Sequence, residues 1–313
     1  NVDRGLMREM LFYGMNTFLY AMGALIIYRA SETIIGIFLP PDEMPAQLAI
    51  FSTAAAGVLL LSEFLQAFTA AIKPAVSDLD ARDDHLRVQL IAFLTQKYSL
   101  LVLIPAGAFL IIMGQEFLTV WVGAKFPEPG VIPAMAHILA ILTVGYCLLL
   151  SQHSNFLVLA GRGEHRVFGL LTAVEAVLCV GAAIFTVAVL GWGITGIAWS
   201  NLLPMALLAG VILPIYFNRK MEISPWDSLR HVWWPALLGT IPSVVLIAVW
   251  KFLAAPDSWL ELFAVVGAAG GTTVLCGWFL SMDRAERQRL RGVLKRRGRP
   301  PAAGPAEVVT PGQ

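Results

Sequence analysis

VIPAMAHILAILTVGYCLLLSQHSNFLVLA, residues 131–160, runs thirty residues without one Asp, Glu, Lys or Arg. As a helix it would be about 45 Å long, more than the ~30 Å hydrocarbon core of a bilayer requires. It reads as a membrane-crossing helix that tilts, kinks or protrudes. Its later half carries Gln152, His153 and Asn155, a polar cluster in an otherwise apolar segment. Working outward, seven more runs of this kind appear: Met10–Leu39, Ala46–Lys73, Val88–Met113, Val167–Leu190, Ile194–Phe217, Val232–Leu253 and Trp259–Ser281. They are continuous, unlike the alternating ten-residue segments of a membrane β-barrel. The expected fold is all-α integral membrane, with eight transmembrane helices.

Composition agrees. The 313 residues are 58% hydrophobic and 14% charged, with a mean hydropathy of +0.73. Soluble domains hold about 45–50% apolar and about 25% charged residues. The net charge of +1 is spatially segregated and gives no footprint for nucleic acid. Cys147, Cys179 and Cys276 lie singly in apolar runs, which indicates neither a disulfide framework nor a zinc site. The chain starts Asn1-Val2-Asp3, without a signal-peptide pattern, and is expected to be the C-terminal part of a longer protein.

Orientation follows from Lys and Arg. Arg4 and Arg8, then Lys73, Arg82 and Arg87, then Arg162 and Arg166, then Arg219, Lys220 and Arg230 fall on one side, together with the Arg-rich stretch from Arg284 to Arg299. The other side holds Lys125 and Lys251, with Arg29 near it. This asymmetry predicts eight spans with both ends in the cytoplasm. The external connections are Pro40–Pro45, the tight Gly191-Trp192-Gly193 and the longer Phe117–Gly130. Internally, 77–85 reads as a mixed-charge loop. Residues 283–313 read as a cytoplasmic Arg-rich segment that becomes Pro/Ala/Gly-rich and disordered, with an affinity for anionic lipids. Pro105, Pro133, Pro204, Pro214, Pro235 and Pro242 mark places where helices can break. The runs Ala54–Gly57 and Gly267–Gly271 favour close helix approach.

Intramembrane polar groups are the functional candidates. Arg29 and Glu32 share a helix face in the outward part of the first span. Glu63, with Gln66 one turn away, and Glu175 each have two readings: a neutral acid bonded between helices, or the lining of a polar cavity that takes a proton or cation. Gln152, His153 and Asn155 suit a uridine or sugar hydroxyl, or simply end an overlong helix. Lys97 either reaches a phosphate or snorkels to the interface. Asp78-x-Asp80 looks like a metal–nucleotide-sugar motif, but no segment is long enough for the soluble domain such chemistry needs. No HExxH, GxSxG or phosphate-cradling glycine loop is present, so no enzyme, metal or cofactor is expected.

A series of short motifs carries a resemblance. Glu32-Thr33-Ile34-Ile35-Gly36, Lys73-Pro74, Phe117-Leu118-Thr119-Val120-Trp121-Val122-Gly123, the turn Leu159–Arg166, Glu175 and Gly191-Trp192-Gly193-Ile194-Thr195-Gly196 follow one another in the order and spacing of bacterial polysaccharide flippases, over roughly residues 5–220. The chain resembles the second half of such an oligosaccharidyl-lipid flippase, in the superfamily that also holds multidrug exporters. The resemblance implies a second six-helix lobe over 1–220, an additional helix pair over 221–282, and a missing first lobe. It implies alternating-access movement of an undecaprenyl-diphosphate-linked oligosaccharide across the bacterial inner membrane. Its partners would be that glycan, the bilayer and other polysaccharide assembly proteins. In the matching lobe the resemblance implies Arg29 and Lys97 as the cavity's cations, opposed by Glu32 and Glu63; Gln66, Gln152, Asn155 and Glu175 complete the candidates for substrate binding or cavity lining. A cation-coupled multidrug exporter, a membrane enzyme and a non-transporting scaffold are the alternatives. The short external loops weigh against the enzyme.

Overall fold

The computed structural model describes residues 4–82, 84–284 and 286–288, and it is helical throughout, without a strand among them. The helices are α1 (Arg4–Phe38), α2 (Met44–Thr69), α3 (Ile72–Asp80), α4 (His85–Ile112), α5 (Gly114–Val122), α6 (Val131–Ser151) and α7 (His153–Gly161), followed by α8 (His165–Ile184), α9 (Gly193–Leu207), α10 (Leu213–Lys220), α11 (Pro225–Ser228), α12 (Trp234–Leu253) and α13 (Trp259–Cys276). Joined across small breaks, they make eight helices long and apolar enough to cross a membrane. The protein is an integral membrane α-helical protein. In hydrocarbon every backbone N–H and C=O needs an internal partner, and a helix supplies one within the segment.

The fourth span is the hub. Its α6 touches α2, α4, α5 and α9, while α1 lies along α8, and α8 along α9. Leu65, Leu118, Leu139, Ile197 and Met205 meet here, fully buried. Lipid tails are as apolar as these side chains, so association depends on close fit. Glycines provide that fit at two crossings. A Cβ on Gly107 of α4 would lie 2.5 Å from Cys147 Sγ of α6, and one on Gly169 of α8 would lie 2.6 Å from the Asn16 carbonyl of α1. Gly267, Gly270 and Gly271, expected to serve close packing, have nothing within 4 Å of a built Cβ among the described residues.

The last two spans attach to α4. Helix α12 packs on α4 and α13, with Ser243 and Thr273 hydroxyls 2.6 Å apart. Two ion pairs fasten them. At the end that carries the termini, Lys97 of α4 meets Glu286, past the eighth span, at 2.7 Å. At the opposite end, Lys251 of α12 meets Glu116 of α5 at 3.2 Å, and also donates to the Ile112 carbonyl.

Several boundaries differ from the sequence reading. The segment expected to be a loop from residue 77 is helical to Asp80, because Pro74 is the third residue of α3, where a missing N–H costs no helical bond. Residues 117–122, expected in an external loop, belong to α5, which buries Gly114, Leu118 and Val122 on one face. The seventh span starts at Pro225, seven residues early, behind Ser224, whose Oγ accepts from Trp226 N. Pro105 and Pro242 sit inside unbroken helices. Pro214 and Pro235 instead follow π-helical turns, Leu208–Ile212 and Leu229–Trp233. The wider turn absorbs the ring that clashes with the carbonyl four residues back. The fourth span breaks at Gln152, between α6 and α7, with no proline there.

Candidate functional site

The break at Gln152 builds the site. Ser151, Gln152, Ser154 and Asn155 offer side-chain partners that compete with the backbone ladder. Gln152 Nε2 donates to Ser151 Oγ at 3.0 Å, and Asn155 Nδ2 donates to Gln152 Oε1 at 2.9 Å. Gln152 N bonds the Leu149 carbonyl, a tightened turn. The chain resumes as α7 with Gln152 and His153 facing a pocket of about 220 Å³. Helix α1 adds Tyr20 and Tyr28, α2 adds Gln66, and α8 adds Phe168, Thr172 and Glu175.

Hydrogen bonds cross this wall. Tyr28 Oη lies 3.3 Å from Ser62 Oγ, and Gln66 Nε2 donates to the same Ser62 Oγ at 3.0 Å. Tyr28 also rests against Tyr146, ring centroids 5.3 Å apart. Tyr20 stacks on Phe156 at 4.3 Å, and Phe156 leans on Phe168 at 5.1 Å. Glu175 is 2% exposed, and its Oε1 has no hydrogen-bond partner among the described residues; Asn155 Oδ1 is in the same condition.

Of the residues singled out in the sequence, Gln66, Gln152, His153 and Glu175 therefore meet around one pocket, with Asn155 bonded behind Gln152. The others lie elsewhere. Arg29 is exposed and paired with Glu32 at 3.5 Å, one position on from Tyr28 and turned off the pocket. Its neighbour Ser31 is buried and accepts from Asn201 Nδ2 at 2.9 Å, tying α1 to α9. Glu63 is exposed on α2, between the pocket side and the outward Leu60, Phe64 and Phe68. Lys97 is buried in its pair with Glu286, away from the pocket. Asp78 pairs with Arg82 at 2.9 Å and Asp80 with Arg162 at 3.0 Å, so both carboxylates of the Asp-x-Asp motif have cationic partners from the chain. No cluster of three or more His, Cys, Asp or Glu able to hold a metal occurs among the described residues.

Tyr20, Phe156, Phe168 and Thr172 were not foreseen as site residues. An aromatic side chain in an apolar span carries no mark that separates a pocket wall from a packed core. A hydrophobic run with five consecutive polar residues, 151–155, was the available signal for the break.

The fold is similar to those of solved membrane transporters. The fold matches a multidrug resistance MATE family transporter of the MOP superfamily in its outward-facing conformation, with a TM-score of 0.52 and 13% identity, over 90% of this chain and 65% of that one. It also matches a MOP superfamily transporter from Pyrococcus furiosus, with a TM-score of 0.54 and 12% identity, over 88% of this chain and 65% of that one. The chain spans about 65% of the length of each of these structures. More particularly, residues 1–129 match a family model described as polysaccharide biosynthesis protein. No curated protein matches the sequence. The fold and the family match both agree with the resemblance drawn from the sequence.

Proposed function

We propose that this chain is the second lobe, residues 1–220, and the appended helix pair, residues 221–282, of a flippase for lipid-linked oligosaccharides in polysaccharide biosynthesis or export. The substrate is an undecaprenyl-diphosphate-linked glycan, and the membrane is the bacterial inner membrane. Both ends of the chain face the cytoplasm, a reading supported by the Lys and Arg asymmetry. The carrying observation is a pocket between membrane helices that sets Gln66, Gln152, His153 and Glu175 among aromatic and aliphatic side chains, in a chain whose first three spans match a polysaccharide biosynthesis family.

The physical task suits such a pocket. Stripping water from a glycan and a diphosphate to pass them through hydrocarbon is prohibitive. A polar cavity opened to each side in turn lets the head group cross while the lipid tail stays in the bilayer. The break at Gln152 and the π-helical turns before Pro214 and Pro235 are natural places for such helices to bend. Past the eighth span, Arg284 and Arg287 begin the basic stretch that would engage anionic lipids; Arg289 to Arg299 lie outside the described residues.

Reconstitution of the full-length protein in vesicles tests the reading. Lipid-linked glycan is expected to become accessible on the opposite leaflet, and gene deletion is expected to abolish surface polysaccharide. Unchanged polysaccharide in the deletion strain, together with no movement in vesicles, overturns it. Glu175 favours one competing reading, a cation-coupled exporter, because a buried carboxylate without a partner attracts cations. That reading predicts ion-dependent drug resistance and no glycan phenotype.

A further inference from the structure

We infer that the pocket between α1, α2, the α6–α7 break and α8 is a subsite for a sugar ring, and that the diphosphate of the substrate is held elsewhere. The inference rests on the flippase reading and is tested separately from it.

Size is the first argument. About 220 Å³ is below the roughly 300 Å³ at which pockets take drug-sized ligands, and it suits a single ring. The second is the chemistry of the wall. A pyranose has apolar C–H faces and a rim of hydroxyls that donate and accept. The pocket offers the rings of Tyr20, Tyr28, Phe156 and Phe168, with Gln66, Gln152, His153, Thr172 and Glu175 as hydrogen-bonding groups around them. Amides both donate and accept, which matches hydroxyls in either role. The third is Glu175 itself: nearly fully buried, lining the pocket, with an Oε1 that has no hydrogen-bond partner among the described residues. From the pocket, a sugar hydroxyl can bond the Glu175 carboxyl group, which accepts whether it is neutral or ionised.

The lining also rejects the alternatives. It contains no Lys or Arg; the nearby Arg29 is exposed and paired with Glu32, and Lys97 is paired with Glu286. A diphosphate here would face a carboxylate with no counter-charge. An organic cation suits aromatic rings and a carboxylate. A hydrophobic cation, however, would cover His153 without giving it a hydrogen-bond partner, a cost that a hydroxylated ring avoids.

The test is direct binding by the purified chain in a detergent without a sugar head group. Free glucose, galactose and N-acetylglucosamine are titrated, with tetraphenylphosphonium as the cationic probe. Saturable binding of at least one sugar is expected, with a dissociation constant of roughly 1–10 mM. Glu175→Leu and Gln152→Leu are each expected to weaken it about tenfold, while Glu175→Gln, which still accepts, stays within about threefold. Absence of saturable sugar binding overturns the subsite, as does tetraphenylphosphonium binding that Glu175→Gln abolishes. Should the Leu variants fail to fold, a diazirine-bearing hexosamine is cross-linked to the wild-type chain and its adducts are mapped. Adducts within 20–28 and 152–156 support the subsite; adducts confined to other segments overturn it. Sugar binding without vesicle transport overturns only the flippase reading, and transport without sugar binding overturns only the subsite.

Discussion

Replacing Lys97 by Met unfastens the last two spans at a single point. The Lys97 side chain is 4% exposed, twelve residues and about 18 Å along α4. Its Nζ lies 2.7 and 2.8 Å from the two Glu286 oxygens and 3.2 Å from the Ser281 carbonyl. Met keeps most of the aliphatic stem, so the loss is mainly that of the charge. Glu286, 18% exposed, retains a bond from Asp283 N at 3.2 Å. Breaking a buried pair from one side costs about 3–5 kcal/mol, and the partial exposure of Glu286 puts this case at about 3 kcal/mol. Glu286→Leu leaves the more deeply buried ammonium with the Ser281 carbonyl and the Tyr98 ring, 5.6 Å away, and is expected to cost at least as much. The double variant removes both charges and is expected to lie within about 1 kcal/mol of the wild type. Denaturant unfolding of all four proteins in mixed micelles closes the cycle, with an expected coupling of at least about 5 kcal/mol. Single variants costing under about 1 kcal/mol each, or a double variant costing their sum, would refute the reasoning.

Two further outcomes are expected. Gly107→Ala places a methyl 2.5 Å from Cys147 Sγ and is expected to destabilise the chain by about 1–3 kcal/mol; adding Cys147→Ala removes the obstructing sulfur and restores most of the loss in the same unfolding assay. Single cysteines introduced at the exposed Lys125 and Arg230, with the three native cysteines replaced by Ser, test the topology. An impermeant maleimide is expected to label position 125 from outside and position 230 only after permeabilisation, and labelling of both from one side contradicts the eight-span arrangement.

The eight helices were legible because hydrophobicity along a run of about twenty residues is a local, additive property. Their interruptions were not, since they depend on what surrounds each turn. Pro105 stays inside an unbroken helix, whereas Gln152, an ordinary helix former, sits at a break. The site shows the same limit. Glu63 and Gln66 are three residues apart, and only the rotation of α2, set by its packing on α6, decides that Gln66 lines the pocket and Glu63 does not. Lys97 read as a phosphate ligand or a snorkelling side chain because its partner lies 189 residues further on. Polarity marked Gln152 and Glu175 from the start. The aromatic half of the pocket emerged only when the helices were assembled.

That 189-residue separation sets a timetable for biosynthesis. A ribosome adding about 5–20 residues per second needs roughly 10–40 s to make Glu286 after Lys97 has emerged. Throughout that interval the third span sits in the membrane with its ammonium uncompensated, held by whatever water and head groups its flexible stem can reach. Only when the eighth span has been made does the counter-charge arrive. Synthesis of Glu286 is thus the step that neutralises Lys97, and a nascent chain stopped short of it presents a charged span for membrane quality control to detect.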